Sequence, residues 1–139
     1  MIEKLVKKLS SLAPMSKELA DRIRSVAQIF TYRAGDFILK EGQVCDKACL
    51  VAKGLTRSYY INEGLDITSR FMEEGFIVTS WVSYYTRQPG NEFIEAVDDT
   101  VLVCISNTDI HKVYLDFPEA NIIGRRQVEY AFYLAEQRT

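Results

Sequence analysis

Apolar residues at Ile2, Leu5, Val6, Leu9 and Leu12 recur at helical spacing and stop before Pro14, which predicts a short amphipathic helix. Ser16 stands at a capping position ahead of a second helix whose Leu19, Ile23 and Val26 share one face. The two predict an N-terminal helical pair covering one side of a core.

From Gln28 the period changes. Phe30-Tyr32, Phe37-Ile38-Leu39, Cys49-Leu50-Val51, Thr56 to Ile61, and Ile67-Ser69-Phe71 are short β-type runs. Turn signals divide them at Ala34-Gly35-Asp36, Glu41-Gly42, Lys53-Gly54, Asn62-Glu63-Gly64 and Glu73-Glu74-Gly75, because glycine supplies the positive φ that tight turns need. Strands this short and this regularly punctuated predict a β-barrel or sandwich. Glu73 to Val97 reads as strand, short helix (Thr79 to Thr86), tight loop (Gln88-Pro89-Gly90) and strand. The start of such a helix offers free N–H groups, an anion site in outline. Thr100 to Ile105 predicts a further strand, reached through a turn at Asp98-Asp99.

Ser106 with Asp109 opens a capped helix carrying Ile110, Val113, Tyr114 and Leu115, closed by Pro118. From Glu119 to Thr139 there is no proline and one glycine. Ala120, Ile123, Gln127, Tyr130, Leu134 and Gln137 alternate in steps of three and four, a coiled-coil-like seam. The seam either joins two copies or packs on the barrel; dimerisation is the expectation.

The chain has 139 residues, 47% hydrophobic and 26% charged, with net charge -2, which suits one domain able to bury its own core. No basic excess points to nucleic acid. The N-terminus is neither a signal peptide nor a membrane span, so the expected location is the cytoplasm. The cysteines Cys45, Cys49 and Cys104 are odd in number; they read as buried or incidental thiols in a reducing compartment.

Catalytic chemistry is thinly represented. His111 is the single histidine, too few for a histidine-rich metal site in a barrel. Asp98-Asp99 reads as a solvated turn, and no phosphate-loop or dinucleotide motif is present. The chain is not expected to be an enzyme.

Three motifs stand in order: Tyr32-x-x-Gly35-Asp36-x-Ile38-x-x-Glu41-Gly42, Leu50-Val51-x-x-Gly54-x-x-Arg57 and Phe71-x-x-x-Gly75-Phe76, followed by Phe117-Pro118-Glu119 opening a long helix. This combination resembles the cyclic nucleotide-binding domain of the Crp/Fnr transcription regulators over almost the whole chain. The resemblance implies a mainly β fold with flanking helices, a double-stranded β-helix (jelly-roll) barrel of about eight strands. Residues 1–139 would form one sensor domain, with residues 119–139 a dimerisation helix in a homodimer. DNA contact is expected only through a helix-turn-helix that these residues do not contain. A stand-alone module acting through a protein partner is the alternative.

Nucleotide-binding members of that family carry Gly-Glu at the start of the short helix and Arg-Ser after its loop. Here Ser80-Trp81 and Gly90-Asn91 fall at those places. Neither the Glu for the ribose nor the Arg for the phosphate is present. Arg87 lies three residues ahead of the expected Arg, and Glu92 nearby would repel a phosphate. The resemblance therefore implies a degenerate pocket without tight cAMP binding and without a cofactor. Its candidate lining is Thr79, Ser80, Trp81, Ser83, Tyr84, Tyr85, Arg87, Gly90 and Asn91. The aromatic residues there either receive a different small effector or fill the vacated pocket as core. The candidate dimer contacts are Ala120, Ile123, Gln127, Tyr130 and Leu134. Arg57 and Arg70 read as surface salt-bridge partners, and of Tyr59 and Tyr60 one is expected inside and one outside.

Overall fold

The computed structural model describes residues 1–137 and opens with two helices, α1 (Ile2–Ser10) and α2 (Lys17–Val26). Eight strands follow: β1 (Gln28–Tyr32), β2 (Phe37–Leu39), β3 (Lys47–Lys53), β4 (Leu55–Asn62), β5 (Leu65–Glu73), β6 (Ile77–Val78), β7 (Phe93–Ala96) and β8 (Thr100–Ser106). A short helix, α3 (Trp81–Thr86), lies between β6 and β7, and α4 (Asn107–Asp116) and α5 (Glu119–Gln137) come after β8. Arg138 and Thr139, the end of the predicted last helix, lie outside the described residues.

The strands form two antiparallel four-stranded sheets, ordered β1-β8-β3-β6 and β2-β7-β4-β5. This is the predicted jelly roll, in which consecutive strands such as β3 and β4 belong to different sheets. β3 and β8 are covered on both faces, so their sequences run apolar instead of alternating with polar residues. Leu50, Ala52, Val103 and Ile105 join the core beneath the helices, with Leu5, Leu19, Ile23, Val113 and Ile123. Cys49, Val51, Leu102 and Cys104 join the core between the sheets, with Leu39, Met72, Tyr84 and Ile94.

The cysteine expectation is corrected here. Cys49 and Cys104 are directly opposite in the β3–β8 register and form a disulfide. The partner of Cys49 lies 55 residues away on the neighbouring strand, a relation that spacing within one strand does not display. The case for a reducing compartment built on unpaired cysteines loses its basis. Cys45, which precedes β3, is the one free cysteine and is buried.

Both predicted caps form. Ser16 Oγ accepts from Leu19 N–H at 3.1 Å, and Ser106 Oγ accepts from Asp109 N–H at 3.1 Å. Ser16 Oγ also donates to Glu119, and Arg126 donates to the Leu12 carbonyl at 2.6 Å, so the N-terminal helices hold the first half of α5. α1 stops at Ser10, two residues short of the predicted Leu12, where Ser11 N–H and Oγ close the helix on its own carbonyls. Gly54 turns β3 into β4 at φ +103°, and a Cβ there would stand 2.4 Å from the Asp99 carbonyl oxygen. Only glycine fits that approach.

Candidate functional site

Between β6 and β7 the hydroxyl groups expected to line a pocket are bonded within the chain. Thr79, Ser80 and Ser83 are all buried. Thr79 Oγ1 donates to the Lys47 carbonyl at 3.1 Å and touches Cys45 Sγ at 3.2 Å. Ser83 Oγ accepts from Cys45 N–H at 2.8 Å and donates to the Gln88 carbonyl at 2.6 Å. Ser80, the N-cap of α3, makes no capping bond. Its hydroxyl donates instead to Glu92 Oε2 at 2.6 Å. Arg87 ends α3 in the left-handed region, and its guanidinium turns to the Cys45 carbonyl at 3.4 Å. Gly90 accepts from Gly42 N–H at 2.9 Å, which ties the loop to the turn after β2, and Asn91 is exposed.

Two residues outside the predicted set dominate the site. The Glu92 carboxylate points inward and is held at both oxygens: Ser58 Oγ donates to Oε1 and Ser80 Oγ to Oε2. Arg70 Nη2 lies 3.7 Å from Glu92 Oε1 and donates to the Thr79 carbonyl at 2.6 Å. Both side chains are about four-fifths covered, at 20% and 18% exposed.

Sheet phase explains both. Ile94 and Ala96 of β7 are buried, so Glu92, two residues ahead, falls on the same face. That alternation is legible in the sequence and would have found Glu92. Arg70 could not be found so easily. Thr68 pairs with Tyr59 and Arg70 with Ser58, so the register shifts by one residue at Ser69. A bulge reverses which face the following residues take. Unbroken alternation would leave Arg70 on the outer face beside Thr68, whereas the bulge turns it in. The expectation that Arg70 is a surface salt-bridge partner is corrected accordingly.

Arg57 does form ion pairs, with Glu95 across the strand pair and with Asp66 at 2.7 Å, and its guanidinium lies over the Tyr59 ring. Tyr59 is buried under it, while Tyr60 is more than a third exposed.

The aromatic residues separate into two groups. Tyr84 enters the core between the sheets, where burial pushes its phenol up to about 12. Trp81 and Tyr85 stack at 5.9 Å and face α5. There they form part of the wall of two apolar cavities of about 110 and 290 Å³. Ile77, Gln127 and Val128 are common to both cavities. Gln127 Oε1 is buried with no hydrogen-bond partner among the described residues. Of the predicted seam, Ala120 and Ile123 are buried within the chain, Gln127 and Leu134 line the cavities, and Tyr130 is exposed beside Lys8.

Asp98 and Asp99 are exposed, and Asp99 Oδ1 accepts from Ala34 N–H at 3.0 Å. Among the described residues, no three His, Cys, Asp or Glu side chains gather as a metal site, and no helix is long and apolar enough to cross a membrane.

The sequence profile of the cyclic nucleotide-binding domain matches residues 29–116, from β1 to the end of α4. The chain belongs to the cyclic nucleotide-binding domain family. Solved structures share its fold at low identity. A cyclic nucleotide-binding domain from Methylobacillus flagellatus KT superposes with a TM-score of 0.84 at 16% identity, over 99% of this chain and 81% of that one. The Catabolite Activator Protein of Thermus thermophilus gives 0.75 at 19% identity, over 94% of this chain and 59% of its own length. The sensor domain of the transcriptional regulator DNR from Pseudomonas aeruginosa gives 0.74 at 14% identity, over 99% and 94%. No curated protein sequence matches the chain.

Proposed function

We propose that this domain is the effector-sensing and dimerisation part of a Crp/Fnr-like transcription regulator, and that its nucleotide site is closed to cAMP and cGMP. The observation carrying the second half is the Glu92 carboxylate, held in the cradle by Ser58 and Ser80 beside Arg70. A cyclic phosphate entering there would have to displace the Glu92 carboxylate from the donors it already occupies. The guanidinium that family members set against the phosphate has no equivalent at Gly90, and Arg87 is directed to a backbone carbonyl.

The regulator half is supported by the near-complete overlap with the DNR sensor domain. An effector of different chemistry, apolar or aromatic, fits the cavities between Trp81, Tyr85 and α5. Its entry would favour one seating of α5 over another and pass that change to an attached DNA-binding domain. Ile122, Phe132 and Tyr133 on α5 are exposed, Phe132 by 66%. They form the surface offered to a second copy, alongside Tyr130 of the predicted seam.

Calorimetry with cAMP and cGMP tests the closed site: no binding is expected, and a submillimolar dissociation constant for either would overturn it. Native mass spectrometry tests the assembly: a dimer is expected, and a strictly monomeric chain at high concentration would remove the dimer proposal for these residues.

A further inference from the structure

Glu92 is received as a ligand is received. Each carboxylate oxygen takes one hydroxyl hydrogen bond, and the donors come from separate elements, Ser58 from β4 and Ser80 from the cap of α3. Ser58 is 0% exposed and Ser80 3%. Arg70 completes the set and is anchored without Glu92, by the Thr79 carbonyl and by Met72 Sδ at 3.2 Å. Ser58 is fixed in a strand paired on both sides, to Arg70 on β5 and Ile94 on β7. The donor set is therefore built into the sheets and α3. Its occupant comes from the chain just after Gln88, Pro89 and Asn91, which are exposed.

We propose that Ser58, Ser80 and Arg70 form a carboxylate-binding site, and that Glu92 is its tethered occupant, which a small free carboxylate can replace. The inference rests on the closed-site reading above and says what closes it. Two buried hydroxyls and a guanidinium suit a carboxylate, because charge-assisted bonds to both oxygens are short and directional. A tethered carboxylate acts at a high effective concentration, so millimolar free anion competes poorly with the intact chain. Once the side chain is cut back, the same anion enters a site left with two buried donors lacking an acceptor.

The test compares thermal melting of the intact chain, Glu92→Ala and Glu92→Gln at neutral pH, in sodium acetate and in sodium chloride of matched ionic strength. Glu92→Ala is expected to melt roughly 5–10 °C lower than the intact chain. Acetate should raise it saturably toward the intact value, while chloride does not. Glu92→Gln fills the site with its own amide and should not respond to acetate. The proposal is overturned if acetate moves Glu92→Ala no more than chloride does, or moves all three chains alike. If Glu92→Ala folds only when acetate is present, that is the expected effect in its strongest form; failure to fold at any acetate concentration overturns the proposal. Submillimolar cAMP binding by the intact chain would sink the closed-site reading. Acetate insensitivity without cAMP binding would sink this inference alone.

Discussion

Gly124→Ala on α5 sets two effects against each other. In a helix interior, alanine is favoured over glycine by about 1 kcal/mol. Against that, a Cβ at Gly124 would stand 2.2 Å from Tyr114 Oη and 2.9 Å from Tyr114 Cζ. The ring must retreat by about 1 Å to reach ordinary contact. Tyr114 packs against the core beneath the helices, with its ring perpendicular to that of His111 at 6.4 Å between centroids. Forcing such a side chain aside costs about 1–3 kcal/mol. The net expectation is a loss of about 1 kcal/mol, or roughly 3–5 °C in melting temperature. Urea unfolding followed by circular dichroism at 25 °C reads it. Tyr114→Phe removes the atom at 2.2 Å, so a double-mutant cycle should show a coupling of about 1 kcal/mol that lessens the alanine penalty. An increase in stability matching the helix propensity, or strict additivity in the cycle, would refute the claim that Gly124 is kept small to seat α5 on α4.

Three further outcomes follow from the same physical picture. Reducing the Cys49–Cys104 bridge, which spans 55 residues, should cost about 2–4 kcal/mol in urea unfolding; equal midpoints with and without reductant would count against the bridge. Gln127→Leu replaces a buried acceptor with no partner among the described residues and should raise stability by about 1 kcal/mol, visible as a higher melting temperature; a clear loss would mean that the amide has a partner. Burial raises the Tyr84 phenol to about 12, so the folded state holds this proton more tightly than the unfolded state. The associated stability is fully present below pH 10 and falls by about 1.4 kcal/mol per unit as pH rises from about 10 to about 12. Tyr84→Phe should flatten that slope in urea titrations, and an unchanged slope would assign it to other tyrosines.

Much of this protein is written locally. The caps at Ser16 and Ser106, the glycine turns and the apolar runs of β3 and β8 are set by neighbours within a few residues, and such features are legible in one dimension. The identities of Trp81 and Gly90, on which the proposal of a closed nucleotide site rests, are likewise read directly. Even the inward turn of Glu92 follows from its phase with Ile94 and Ala96. What occupies the cradle was decided between strands. The bulge at Ser69 brought Arg70 to the inner face opposite Ser58, and the β3–β8 register set Cys49 against Cys104. The packing of the helices turned Ala120 and Ile123 of the α5 seam into core. Each depends on the alignment of segments far apart in the chain, and a shift of one residue exchanges inner for outer faces. Periodicity along a segment carries no record of that alignment; the free energy of closing the whole core selects it.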